Sequence, residues 1–417
     1  MKRKIDDKRN FHKHSYIDFS RKHINLHFIK NCKQMDQEVI IQIFSGGFDE
    51  TPATFESIMQ KLEPIVSRIR VAKVFMGMSA DKDLYAKIRD YLYKKDIEFY
   101  CWLPVFAELD ALKVGRPLID FNGKDKSDYQ LAEREDFTFY CPNHPENFLN
   151  VLQVFEEQYA PIGFTGVFLD KIRYASFANG LNNVLTCFCP FCQIKYRSTQ
   201  FNTQEMEQAI KMLLFKPAPF GAIAYDKGRY VFENDLWNTF FRLKNEFITN
   251  ALKGIFTYFR EKRYKIGLDV FAPFASHFVG QDIPELSTFV DFIKPMMYRM
   301  TNAPAGLPFE LEAIVQETTS NETQRETFYK LLGFDARKQP FDLDFTVREL
   351  ADLVKQSKAP VYPGVEFNRA PIAPVTPAYI EETIKAYAQT GVQGFVMSWN
   401  LLNAPQENID QVVKLFS

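Results

Sequence analysis

From residue 38 to its end, the chain alternates short apolar runs with amphipathic stretches. Val39 to Phe44 is a buried-strand run closed by Ser45-Gly46-Gly47, and Thr51-Pro52 is placed to open a helix, with Thr as N-cap and Pro at the first helical position. Val71 to Met76 forms the second run, followed by a helix through Tyr85 to Tyr93. Glu98–Leu103 and Phe164–Asp170 are the third and fourth strands. Over Asp235–Arg263, Leu236, Phe240, Leu243, Phe247, Ala251, Ile255 and Phe259 recur every three or four residues, which predicts one long amphipathic helix. Ile266–Phe271, Phe289–Met297, Val361–Glu366 and Gly394–Trp399 complete a set of eight strands. Thr346 with Glu349 reads as a capping box, Thr376-Pro377 as a second helix start, and Gly391 as the glycine that ends that helix.

Eight strands alternating with helices predict a (β/α)8 TIM barrel over residues 37–417, with an open doubly wound sheet as the structural alternative. The excess length falls at 105–145, 172–233 and 299–345, each after a strand, so these insertions are expected to wall a cleft at the C-terminal face.

Charge adds one feature. Net charge is −1, which gives no overall footprint for nucleic acid. Residues 1–34 nevertheless carry ten Lys/Arg against three Asp, and residues 1–36 read as a basic leader. Such a leader is either a solvated segment or an arm that touches an anionic partner. The apolar run Ile24–Ile29 is broken by Asn25 and His27, and no stretch approaches the ~18 apolar residues of a membrane span. These features, with cysteines unlike a disulfide framework, predict a cytoplasmic protein that binds neither membrane nor nucleic acid. Nothing in the sequence sets its oligomeric state.

Candidate chemistry lies at the strand ends. Asp170 closes the fourth strand, and Arg173 is expected to pair with it and hold it ionised. Glu366 closes the seventh strand, beside Arg369. The fourth and seventh strands of a barrel face each other, and two opposed carboxylates are what glycosidic cleavage requires. Asp269 on the fifth strand is a third acid or a satisfied core residue. Tyr298 after the sixth strand and Trp399-Asn400 after the eighth are placed to hydrogen-bond and stack on a sugar. Outside the leader only His144 and His277 exist, which argues against a metal-dependent isomerase or hydrolase. The chain has no P-loop, H-E-x-x-H or G-x-S-x-G motif, and no dinucleotide fingerprint after its first strand.

Cys187, Cys189 and Cys192 stand in a C-x-C-x2-C run, and Cys141-Pro142-Asn143-His144 offers a fourth ligand from an earlier loop. The spacing suits a closed structural zinc site that staples two loops; the alternative is a set of reduced thiols. It does not match the C-x3-C-x2-C of radical iron–sulfur enzymes. No cofactor is expected for catalysis.

Phe164-Thr165-Gly166-Val167-Phe168-Leu169-Asp170-Lys171-Ile172-Arg173-Tyr174 resembles the F-D-G-I-x-x-D-x-x-R-F strand of a loosely characterised group of glycoside-hydrolase-like TIM barrels. Gly267–Pro273, Val279–Asp282, Asp291–Tyr298 and Gly394–Pro405 look like further blocks of that group. Met296-Met297-Tyr298 and Trp399 are similar to family 18 glycoside hydrolases, although that family's catalytic Glu position falls on Ile172. Cys187–Cys192 and Glu366 are similar to family 42, although its strand-four Asn-Glu pair is not reproduced at Asp170. The resemblance implies a glycoside hydrolase acting on an oligo- or polysaccharide, with Asp170 and Glu366 as acid and nucleophile in either order. Asp269 and Tyr298 would support them, and Trp399 would stack on the sugar. The competing expectation is a non-catalytic carbohydrate-binding barrel.

Overall fold

The computed structural model describes residues 36–46, 53–77, 79–107, 115–126, 138–215, 221–334 and 342–417. The basic leader, and the Thr51-Pro52 helix start, lie outside the described residues.

Eight parallel strands form the centre: β1 (Glu38–Phe44), β2 (Val71–Gly77), β3 (Glu98–Pro104), β4 (Gly166–Asp170), β5 (Lys265–Val270), β6 (Phe292–Pro295), β7 (Gly364–Glu366) and β8 (Gly394–Ser398). Their order around the sheet is β6-β5-β4-β3-β2-β1-β8-β7. Parallel bridges Ile293–Val361 and Met296–Gly364 then join β6 to β7 and close the ring. The open-sheet alternative is thereby removed, and the fold is a (β/α)8 barrel. Residues 35–417 form one compact unit.

Strand alternation sends every second side chain to the barrel axis. The middle of the barrel is filled by Ile40, Phe75, Tyr100, Phe168, Phe292, Tyr362 and Val396, all buried. Phe75 stacks on Phe168 at 4.3 Å and on Phe292 at 5.5 Å, and meets Tyr100 edge-on at 5.4 Å. Rings of this size need space on a neighbouring strand. Gly267 supplies it, because a Cβ there would sit 2.0 Å from the Phe292 ring. The aromatic plug makes the barrel solid below its upper rim and confines polar chemistry to the two ends.

The outer helices include α1 (Phe55–Val66), α2 (Lys82–Lys94), α3 (Pro145–Val154), α4 (Pro190–Ser198), α5 (Thr203–Phe215), α6 (Asp235–Glu261), α7 (Leu307–Thr318), α8 (Glu322–Leu331), α9 (Leu343–Gln356), α10 (Pro377–Ala388) and α11 (Gln406–Phe416). Thr376 caps α10 as expected, accepting from the Tyr379 amide at 3.3 Å. Two helix starts differ from the sequence reading. Helix α1 is capped by Thr54, in a reciprocal box with Ser57. Helix α9 is capped by Asp342, which accepts from the Phe345 amide at 2.9 Å. Asp342 starts that helix a turn earlier, so Thr346 lies within it and fully buried, and Glu349 accepts from the Tyr225 hydroxyl at 2.5 Å. Among the described residues, no helix is long and apolar enough to cross a membrane.

The insertion at 172–233 contains α4, α5 and a hairpin, Ala222–Asp226 with Arg229–Phe232. The insertion at 299–345 contains α7 and α8.

Candidate active site at the C-terminal rim of the barrel

Two residues above the aromatic plug, the same alternation points Gln42, Trp102, Asp170, Asp269, Lys294 and Ser398 toward the axis. Leu169 pairs with Leu268, so Asp170 and Asp269 are the next residues along two adjacent strands. Asp170 is partly exposed. Its Oδ2 accepts from the Trp102 indole Nε1 at 3.0 Å, and its Oδ1 from the Lys171 amide at 2.5 Å. Lys171 has a φ of 50°, a left-handed turn that ends the strand just after the carboxylate.

Asp269 is buried, and both its oxygens accept from Lys294 Nζ at 3.0 Å. The same ammonium donates to the Tyr298 hydroxyl at 2.5 Å. Burial pushes the Asp269 carboxyl up to about 7; Lys294 and Arg173 oppose this, and the Asp170 charge adds to it. Burial works against the Lys294 ammonium as well, but Asp269 and Tyr298 hold it above its usual value. Burial raises Tyr298 to about 12, so at neutral pH it keeps its proton. Gly364 leaves room for this network, since a Cβ there would lie 2.7 Å from the Tyr298 ring and 2.8 Å from the Lys294 stem. Ser398 donates to Gln42 Oε1 at 3.0 Å and tethers β8 to β1 at the same level.

Glu366 belongs to a separate set of contacts. It is 0% exposed and accepts from the amides of Arg299, Met300 and Thr301 at 3.2, 2.8 and 2.9 Å. The Thr301 hydroxyl adds a bond at 2.9 Å, and the Tyr379 hydroxyl donates from α10. Burial raises its carboxyl despite those donors. This is the geometry of an anchor for the 299–301 turn, not that of a carboxylate facing a cleft. Glu366→Gln is expected to destabilise the fold by about 1–3 kcal/mol, because an amide N–H would face donors left without an acceptor. Urea denaturation checks the loss, and turnover per folded molecule should change little.

Arg173 lies between the rings of Phe139 and Phe271, at 4.6 and 4.3 Å, and donates to the Tyr174 carbonyl at 3.0 Å. Its charge acts on Asp269 and on buried Glu310 of α7, the latter a residue not singled out from sequence. Trp399 is partly exposed at the end of β8, while its Nε1 is buried and finds no acceptor among the described residues. Asn400 is 0% exposed and caps the turn after β8, accepting from the Phe44 and Leu402 amides at 3.1 and 3.2 Å. It therefore joins β8 to β1.

Trp102 and Lys294 were not among the sequence candidates. Lys294 had a legible signal, since a lone charge within Phe292-Ile293-Lys294-Pro295-Met296 must find an anion when buried. Trp102 had none, because an aromatic inside a strand reads as core.

The chain aligns with the solved glycoside hydrolase domain of PgaB (BpsB) from Bordetella bronchiseptica. The alignment covers 91% of this chain and 99% of that one, at 12% identity and a TM-score of 0.58. It has the fold of that domain. A group IV chitinase from Ostrinia furnacalis aligns over 91% of this chain and 100% of that one, at 10% identity and a TM-score of 0.48. No protein-family model matches the sequence, and no curated protein matches it.

Away from the barrel axis, Cys141, Cys187, Cys189 and Cys192 are all buried, and their sulfurs lie within 4.8 Å of one another. Among the described residues, they are the one group of three or more His, Cys or acidic side chains close enough together to hold a metal ion. His144 instead caps α3, accepting from the Glu146 amide at 3.3 Å, so the thiol of Cys141 is the donor that the earlier loop brings to the group. His277 is half-buried beside Phe232, Phe241 and Phe278, and desolvation lowers it to about 4.

Proposed function

We propose that this barrel is a glycoside hydrolase acting on an oligo- or polysaccharide, with Asp170 as the carboxyl group that meets the scissile bond. The observation that carries the reading is the seating of Asp170. It sits partly exposed at the C-terminal end of β4, each oxygen held by one donor, directly beside a second carboxyl group in Asp269. A half-satisfied carboxyl at that rim is positioned to give a proton to a glycosidic oxygen and to take one from water.

In this reading Asp269 replaces Glu366 as the second acid. It is protonated on the acid side of about 7, because burial and the neighbouring Asp170 charge both oppose its ionisation. Lys294 holds Asp269 and polarises the Tyr298 hydroxyl, which becomes a donor to a sugar substituent. Trp399, partly exposed at the end of β8, supplies an apolar face suited to a pyranose ring. The fold shared with a glycoside hydrolase domain supports a carbohydrate substrate.

The test is hydrolysis of a panel of aryl glycosides, oligosaccharides and polysaccharides across the pH range. Turnover is expected, with kcat/KM falling as pH rises through about 7, the direction set by deprotonation of Asp269. Asp269→Asn should remove that limb. An alkaline limb unchanged in Asp269→Asn would show that Asp269 does not govern the protonation of the site.

One observation favours a second reading, a barrel that binds a glycan without cleaving it. Glu366, the expected partner across the barrel, is sealed by five donors. Glycan affinity without turnover, unaltered by Asp170→Asn, would establish that reading.

A further inference from the structure

We propose that Cys141, Cys187, Cys189 and Cys192 bind one zinc ion that fastens the insertion after β3 to the insertion after β4. The four sulfurs come from two segments separated by more than forty residues, yet all lie within 4.8 Å of one another, with Cys141 Sγ 3.5 Å from both Cys189 Sγ and Cys192 Sγ. Zinc–thiolate bonds of ~2.3 Å in a tetrahedron place sulfurs ~3.8 Å apart, so the four lie close to ligand spacing. All four thiols are free.

The surroundings suit thiolates. The Ile119 and Cys189 amides point at Cys187 Sγ at 3.3 and 3.5 Å, and Asn143 Nδ2 points at Cys192 Sγ at 3.2 Å. Pro190 opens α4 directly after Cys189, which places Cys192 in the first turn of a helix, where the dipole favours negative charge. Four thiolates around a divalent cation leave a net charge of −2, which burial penalises. The buried side chain of Lys244 lies on this side of the barrel, donating to the Val184 carbonyl and standing 4.4 Å over the Tyr174 ring.

The site joins backbone to backbone as well. Cys141 donates its amide to the Arg116 carbonyl at 3.0 Å, and Phe188 donates to the Ile119 carbonyl at 2.8 Å. Phe139, two residues before Cys141, forms one side of the aromatic seat of Arg173. The ion would therefore hold the wall of the rim on which the candidate active site depends, at a distance from the chemistry itself.

The experiment is metal analysis of the full chain purified without chelator, with thiol counting under denaturing, non-reducing conditions. About one zinc per chain and unpaired thiols at all four positions are expected. Replacement with cobalt(II) should give the intense visible bands of a tetrahedral site and a sulfur-to-metal charge-transfer band. Cys192→Ser should lose the zinc, whereas Cys101→Ser, outside the cluster, should keep it. Should Cys192→Ser fail to fold, the cobalt spectrum of the wild type decides alone. Iron in place of zinc, no metal after incubation with zinc or cobalt ions, or the four thiols paired as disulfides would each overturn the proposal. Zinc content and spectrum are read without any substrate, so they stand or fall independently of the glycosidase reading.

Discussion

Asp170→Asn is expected to lower turnover by roughly 10²–10⁴-fold while leaving folding and glycan affinity nearly intact. The substitution keeps the shape of the side chain and one acceptor oxygen. One of the two donors that hold the carboxylate, Trp102 Nε1 or the Lys171 amide, then faces an amide NH2. Losing one such bond at a partly exposed site destabilises the fold by about 1 kcal/mol, too little to unfold the barrel. What vanishes is the carboxyl group's capacity to give and take a proton, so the loss should appear in kcat with KM little changed. Trp102→Phe separates positioning from chemistry. It removes the indole donor but keeps the carboxyl, so its effect should be smaller and accompanied by a displaced pH profile. Turnover by Asp170→Asn equal to that of the wild type would remove Asp170 from the reaction and leave the glycan-binding reading in its place.

The difference between what the sequence revealed and what it concealed follows from the kind of information each residue carries. Strand position and face follow from period-2 alternation, a local property, so the sequence places Asp170, Asp269, Tyr298 and Trp399 at the rim. Even there the apolar run Phe289–Met297 overstated β6, which spans Phe292–Pro295, because hydrophobicity continues into backbone that no longer pairs along the sheet. The partner of a buried polar group is a non-local property. Arg173 reads as the neighbour of Asp170 along the chain, yet its guanidinium lies between Phe139 and Phe271, which arrive from other segments. Glu366 occupies the rim position expected of a nucleophile, but the three successive amides it accepts from belong to the turn after β6 and are invisible in its own neighbourhood of the chain. Asn400 follows the same logic, since a short amide at a strand end serves a turn as readily as a ligand. The convergence of Cys141 with the later three cysteines depends on a loop-to-loop contact, and only the chemistry of thiols made it foreseeable.

Lys294→Met should produce the largest loss of stability of any single change at the rim, about 3–5 kcal/mol. Lys294 and Asp269 are 0% and 2% exposed, and the ammonium bridges both carboxylate oxygens and the Tyr298 hydroxyl. Met fills a similar volume, so the loss reports charge and not a cavity. Removing the ammonium leaves Asp269 buried without its counter-charge, and its carboxyl, already pushed up to about 7, must rise further. A carboxyl raised in the folded state above its unfolded value contributes stability at low pH and loses it as pH rises through the folded value. The variant should therefore differ least from the wild type on the acid side, where Asp269 is neutral, and most above about pH 7, where folding must either ionise it or hold its proton. Urea denaturation at about pH 5 and about pH 8 distinguishes these cases. The double variant Lys294→Met with Asp269→Asn should recover much of the loss, since no buried charge remains. A single variant equally stable at both pH values, or a double variant worse than the sum of its parts, would show that the pair does not govern this part of the barrel. Activity offers a second readout. With Lys294 gone, Tyr298 loses its polarising donor and Asp269 retains its proton to higher pH, so the alkaline limb of the wild-type profile should move upward even as kcat falls.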